Sequence, residues 1–479
     1  VSEDFVRSVL REHCEATMPH DKDPWPAIRA RAQAGQLEHR ATPSPGTRLL
    51  EPSQDVLTSR RGGRTLIVPR LNRSRLSMAM VLITVLAFAA IIIGFAAGIR
   101  PLPISSPPDE ENASTRRCWN VVSSPDIEGG DTALFSISAI SASEIWAVGY
   151  SSRSGIVQTL TQRWNGSEWR IVPSLNVPSR NNYLSGVAAL TTNDVWAVGY
   201  HCKDNCTEPA LLIEHWDGTQ WSIVPTPGGG RLNGIAAVSA DDIWAVGSNG
   251  RRSFALHWDG QEWLESPTND PPLADSSFVL NAATAITSND VWAVGYQHNS
   301  VTNSYRSIIY HWDGRGWVYS SETGGRAGDS LQAVAATSAS DIWAVGQRGK
   351  GQSYEEPLRT VTKHWDGSSW LEVASPNVGA GDCYLRGVDA ISSKDVWAVG
   401  GCGPRTGTKQ TVVLHWQGLG WSIVPSPNVE GNSNRFFAIE AILANNIWAV
   451  GTYNSNGTGA LVERYNRPCT QLDTPRSPR

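Results

Sequence analysis

The 479-residue chain lacks the short signatures that announce a familiar chemistry. There is no G-x-S-x-G elbow, no H-E-x-x-H pair and no phosphate loop, and no Ser/His/Asp spacing stands out. An enzyme built on this chain would have to scatter its residues over separate loops. Charge of one sign is also scarce: 40 Lys and Arg stand against 45 Asp and Glu, a formal net charge of −5. The basic residues do not gather on any repeated segment, which argues against a nucleic-acid surface there. Only seven cysteines are present, and the one close pair, Cys202 and Cys206, has His201 beside it but no second pair at matching spacing. That is not a zinc site, and no metal or cofactor is expected. Long apolar runs are absent except for one, Leu76 to Ile99.

Tryptophan, by contrast, is abundant: of 21, only Trp25 lies outside a repeating pattern. The tetrapeptide WAVG begins at Trp146, Trp196, Trp244, Trp292, Trp343, Trp397 and Trp448. Each copy is followed by an HWDG-like segment at Trp164, Trp216, Trp258, Trp312, Trp365, Trp416 and, in the last copy, Tyr465. A self-similar period of about 50 residues with strand-like content marks a radial repeat. Within a copy, LSGVAAL (184–190), VWAVG, LLIEHW and WSIVP are short alternating runs separated by turn residues. They are too short for stable amphipathic helices, so each copy reads as four antiparallel strands, a propeller blade. The small first strands suit the crowded axis and the Trp-containing fourth strands suit the rim.

The ends of the repeat region predict how the ring closes. It opens at Cys118-Trp119 with a fourth strand that has no first three, and ends at Leu461 to Cys469 with a third strand that has no fourth. The first strand should complete the last blade, giving an all-β, seven-bladed propeller without a long open edge. Cys118 and Cys469 occupy equivalent repeat positions where the chain ends must meet, which predicts a disulfide. Cys202 with Cys206 in one loop, and Cys383 with Cys402 at the two ends of a hairpin, make the other pairs. The WAVG and Trp-Asp repeats resemble bacterial β-propellers of the Kelch and WD kind over roughly 118–469. The Gly-His of WD repeats, the Gly-Gly of Kelch repeats and the Asp-box of sialidases are absent.

In chain order, residues 1–40 read as a short helical cytoplasmic segment and 41–75 as a Pro/Arg-rich linker. Residues 76–99 carry no charge, and as a helix would reach about 36 Å, enough to cross a bilayer. Arginines at 60, 61, 64, 70, 73 and 75 precede it and Asp109, Glu110 and Glu111 follow. That asymmetry places the N-terminus in the cytoplasm and the propeller outside. Residues 100–117 then form a stalk, 118–469 the propeller and 470–479 a disordered tail. Cys14 alone falls on the cytoplasmic side and six cysteines on the oxidising side, in keeping with three disulfides. The layout is similar to membrane anti-sigma-type regulators, without their His-x3-Cys-x2-Cys. The resemblance implies a cytoplasmic regulator, such as a sigma factor, as a partner of the N-terminal segment.

Uniform turns join strands one to two and three to four, whereas the opposite face carries loops of varied length, where binding is usually found. Tyr150, Tyr200 and Tyr296, each directly after a WAVG, fall on that face with His201 and His298. They are candidates to hold a protein, peptide or glycan, with packing between blades as the plainer role. On the inner strands, Asp389 and Glu440 stand where other copies have Ser, Ala or Thr. They are candidates for a cation or a ligand amine, and the only obvious carboxylate pair for a glycosidase or lyase. The plainer expectation is that they pair with Arg386 and Arg435. The five histidines of the HW pairs lie on different blades and read as structural, and the acids before WAVG as turn caps. Together these features favour a membrane-anchored extracytoplasmic binding or sensing module, with a surface lectin or adhesin and a propeller glycosidase or lyase as alternatives.

Overall fold

The computed structural model describes residues 117–203, 206–319, 327–349, 356–454 and 458–469. The segments read as cytoplasmic part, linker, membrane span and stalk (apart from Arg117), and the tail from 470, lie outside the described residues. Those described form seven four-stranded antiparallel sheets. Blade 1 runs β2 (Asp131–Ser141), β3 (Glu144–Arg153), β4 (Ile156–Trp164) and β5 (Trp169–Ile171) from axis to rim. Blades 2 to 6 repeat this order across 181–223, 231–266, 276–319, 329–373 and 382–424. Blade 7 is composite: β26 (Ser433–Leu443), β27 (Asn446–Asn454) and β28 (Thr458–Pro468) take β1 (Arg117–Val121) as their outer strand. Trp119 pairs with Tyr465 in that register, and Cys118 and Cys469 are joined in a disulfide. Cys202–Cys206 and Cys383–Cys402 are also bonded.

The repeated tryptophans explain why the blades stack into a ring. Each WAVG Trp leaves its own sheet and packs on the third- and fourth-strand aromatics of the next blade: Trp146 lies 5.2 Å from Trp216 and 5.4 Å from Trp221. The same triad recurs as Trp196 with Trp258 and Trp263, and Trp244 with Trp312 and Trp317. It continues as Trp292 with Trp365 and Trp370, and Trp343 with Trp416 and Trp421. Trp397 meets Tyr465 and Trp119, and Trp448 returns to Trp164 and Trp169 of blade 1. The aromatic circuit is therefore closed. Each ring pair adds about 0.5–1.5 kcal/mol beyond the area it buries.

Every inner strand carries a bulge directly after a buried Leu or Phe, for example between Leu134 and Ser136 and between Leu385 and Gly387. There the inner backbone crowds the WAVG glycine: a Cβ on Gly149 would sit 1.9 Å from the Ala133 carbonyl oxygen. The motif keeps glycine because of this close approach. Polar side chains then fasten neighbouring blades. Asn181 Oδ1 accepts from Val157 N, Asp382 Oδ1 from Leu358 N (2.9 Å), and Asp131 Oδ1 from Thr458 N (2.6 Å).

The acids before WAVG do not cap their turns as expected. Asp194 Oδ1 instead accepts from Trp196 Nε1 and meets His215 Nε2, both at 2.9 Å, while the His215 ring stacks on Trp196. Asp242–His257, Asp290–His311, Asp341–His364 and Asp395–His415 repeat the pairing. Blades 1 and 7 put Arg163 and Arg464 over the same Trp, held by Glu144 and Asn446. The histidines are structural because the imidazole bridges the Trp face and the turn acid. The Asp of the HWDG turns does the capping: Asp217 Oδ1 accepts from the Thr219 hydroxyl and from the Gln220 and Thr219 amides, and these bonds, the hydroxyl's first, hold its carboxyl down at about 2.

Candidate functional site: the channel mouth

Inner strands enter the axis from the loop-rich face, so the bulge residues form a ring at that mouth: Phe135, Ser185, Asn233, Asn281, Gln332, Arg386 and Phe437. All are half-buried. Their chemistry divides the ring. Phe135 and Phe437 meet edge-on at 5.1 Å and form an apolar wall across blades 7 and 1. Asn233 and Asn281 donate Nδ2 to the Leu280 and Leu331 carbonyls of the next blade, 2.8 and 2.7 Å away. Arg386 donates to Gln332 Oε1 at 3.1 Å, so blades 3 to 6 form an amide and guanidinium wall.

An arc of aromatic rings continues from Phe135. Tyr150 lies 5.6 Å from it, Tyr183 is 5.5 Å from Tyr150, and Tyr200 stacks on Tyr183 at 4.8 Å. Arg231 covers the far side of Tyr200, its guanidinium 4.6 Å from the ring centre. The candidates Tyr150 and Tyr200 are thus brought together, but both are buried between blades, packed with Ala133, Val157 and the Cys202–Cys206 disulfide. They shape the mouth from behind. Tyr296 and His298 form a separate group with Tyr305 in blade 4. The His298 ring is buried, which lowers its affinity for a proton, and its Nε2 meets Asn303 Oδ1 at 2.9 Å. His201 is half-buried, its Nδ1 has no partner among the described residues, and burial with the nearby Arg180 charge also lowers its pKa.

Asp389 and Glu440 lie three residues beyond the bulge ring along adjacent inner strands. Their oxygens are engaged by backbone amides: Asp389 Oδ2 accepts from Ala441 N of the next blade at 2.7 Å and Oδ1 from Ala390 N at 2.8 Å. Glu440 Oε1 accepts from Ala139 N of blade 1 at 3.1 Å. At the equivalent position Ser138 accepts from Ala189 N, so the two acids extend a latch between blades that the first blade builds with a serine. The expected pairing with Arg386 and Arg435 is not formed; among the described residues no ion pair joins them, and the amides take that role. Desolvation raises both acids, Glu440 furthest because Asp389 lies beside it.

No family model matches the chain, and no curated protein does. Among solved structures, it is similar to YCF48 bound to D1 peptide, at 17% identity and TM-score 0.45, covering 72% of this chain and 99% of that one. A PL25 ulvan lyase bound to -[GlcA(1-4)Rha3S]- gives 10% identity and TM-score 0.49, covering 75% and 98%. SapL1 lectin with alpha methyl fucoside gives 14% and 0.34, covering 59% and 97%. The number and closure of the blades rest on the strand pairing itself.

Sequence reasoning missed the bulge ring. Its trace is the varied residue between a Leu or Phe and a small residue (LFS, LSG, LNG, LNA, LQA, LRG and FFA in chain order). Among the described residues, no group of three or more His, Cys, Asp or Glu is placed to hold a metal.

Proposed function

We propose that this chain is a membrane-anchored binding module whose propeller lies outside the cytoplasmic membrane. Segment 76–99 is its anchor, the loop-rich face its ligand surface, and residues 1–40 relay the bound state to a cytoplasmic regulator. The ligand is a protein, peptide or glycan. The observation that carries this reading is the asymmetry of the two faces. One has Asp, His and Trp side chains engaged with one another around short uniform turns. The other has loops of unequal length, two of its joints pinned by disulfides, around a mouth of half-buried rings and guanidinium groups. A rigid disc with varied loops on one side is suited to recognition.

A photo-crosslinking residue placed in the full chain at Val301, on the loop face and 68% exposed, should trap ligand in cells. The same residue at Leu419, in an opposite-face turn and 99% exposed, should not. Equal labelling from both positions refutes the reading. Thiol counting in the denatured, unreduced protein should find one free cysteine, Cys14, reactive in the native cell only once the cytoplasm is opened.

A further inference from the structure

We infer that the channel mouth binds the free C-terminus of a peptide that ends in an apolar side chain. The inference rests on the binding-module reading and deepens it. Two walls of different chemistry face one opening, and a ligand that fits must offer both an apolar group and an anion.

The anion-binding part lies on blades 6 and 7. Arg435, two residues before Phe437 on the same inner strand, makes no hydrogen bond or ion pair among the described residues, and its Nε is buried without a partner. The residue is only half-buried, and with Nε covered its terminal amino groups are the donors left to meet a carboxylate. Arg386 lies on the neighbouring inner strand, its charge over the Tyr384 ring at 5.4 Å. Acids of the adjoining blades are engaged elsewhere: Asp126 accepts from Ala460 N at 3.1 Å and Asp131 from Thr458 N at 2.6 Å. Asp382 pairs with Lys409 at 3.6 Å and accepts from Leu358 N, and Asp329 pairs with Arg348 and Lys363. Asp389 and Glu440 are engaged as the inter-blade latch.

The apolar part is the Phe135–Phe437 wall. The two rings meet at 77°, with Tyr150 beside Phe135 at 45°. Rings set at such angles make a notch for a branched aliphatic side chain rather than the flat platform on which a sugar stacks. The amide wall points the same way: with Nδ2 of Asn233 and Asn281 donating to carbonyls, each Oδ1 is left as an acceptor suited to peptide N–H groups.

The test uses the full chain in detergent micelles and a fluorescein-labelled hexapeptide of glycine and serine closed by leucine, read by fluorescence anisotropy. The free acid should bind, and capping it as the carboxamide should weaken binding about tenfold or more, as should Arg435→Met or replacing leucine by lysine. Arg386→Met serves as the second variant, and an unchanged denaturation midpoint shows that each protein remains folded. Equal binding of acid and amide overturns the inference, as does no saturable binding, or affinity indifferent to both arginines. Arg435-dependent binding of a glucuronate oligomer without binding of the peptide also overturns it, in favour of an acidic glycan. If the mouth variants leave crosslinking from Val301 intact, the mouth assignment fails while the binding-module reading survives.

Discussion

Glu214→Gln should remove much of the propeller's loss of stability in mild alkali. The Glu214 carboxyl is fully buried; Oε2 accepts from Leu175 N at 3.2 Å and Oε1 has no partner. Burial, opposed by that single amide bond, pushes its pKa up from 4.5 to about 8. The folded value exceeds the unfolded one, so the fold favours the neutral acid. Its stabilising effect is complete below about pH 4.5, declines as pH rises, and is lost by about pH 8. At ~1.4 kcal/mol for each tenfold change in proton affinity, the loss reaches about 5 kcal/mol in full, about 3 of it by pH 7. Glutamine keeps the shape of the neutral acid without titrating, and blade 1 already carries Gln162 here, accepting from Ser124 and donating to the Pro125 carbonyl. Urea denaturation of the full chain, followed by tryptophan fluorescence at pH 5 and pH 8.5, makes the comparison. The variant should match the parent within about 1 kcal/mol at pH 5 and exceed it by several at pH 8.5. Parallel losses in the two proteins would refute the reasoning.

Three further outcomes follow from the same packing. Glu463 occupies the equivalent site in blade 7, fully buried with both oxygens unpartnered; its counterpart of Leu175 is Pro427, which has no N–H to offer. Glu463→Leu, the residue found there as Leu256 and Leu414, should raise stability at pH 7 by about 1–3 kcal/mol, read as a higher urea midpoint. Cys118→Ser opens a loop of 351 residues and should cost about 5 kcal/mol, with the variant's midpoint no longer sensitive to reductant at this joint. Asp389→Ala leaves the Ala441 amide without its acceptor and should cost about 1–3 kcal/mol in the same denaturation assay.

The number of blades, their boundaries and the closing strand were legible because each is a linear property of the repeat. Trp119 and Tyr465 announce a fourth and a third strand by what flanks them, and a period that starts and stops out of phase can close only one way. Cysteine pairing followed from the same phase. Side-chain roles were less legible. The acids before WAVG resemble turn caps in sequence, yet each of the five aspartates reaches across to a histidine on the neighbouring strand. Asp389 and Glu440 resemble a ligand pair, yet each accepts from an amide of the next blade, 52 and 301 residues away in sequence.

Alternation, turn residues and period act over a few residues and recur in every copy, so the chain alone determined the blade, the copy number and the place where the ring shuts. Contacts between blades act at a distance of one whole repeat and differ from copy to copy. Only the closed ring decided that Tyr150 and Tyr200 lie buried behind the mouth, that Phe135 meets Phe437 across the seam, and that Arg435 makes no ion pair among the described residues. A bulge shifts each inner strand out of simple alternation, and that shift, written in no single residue, sets which side chains look into the channel.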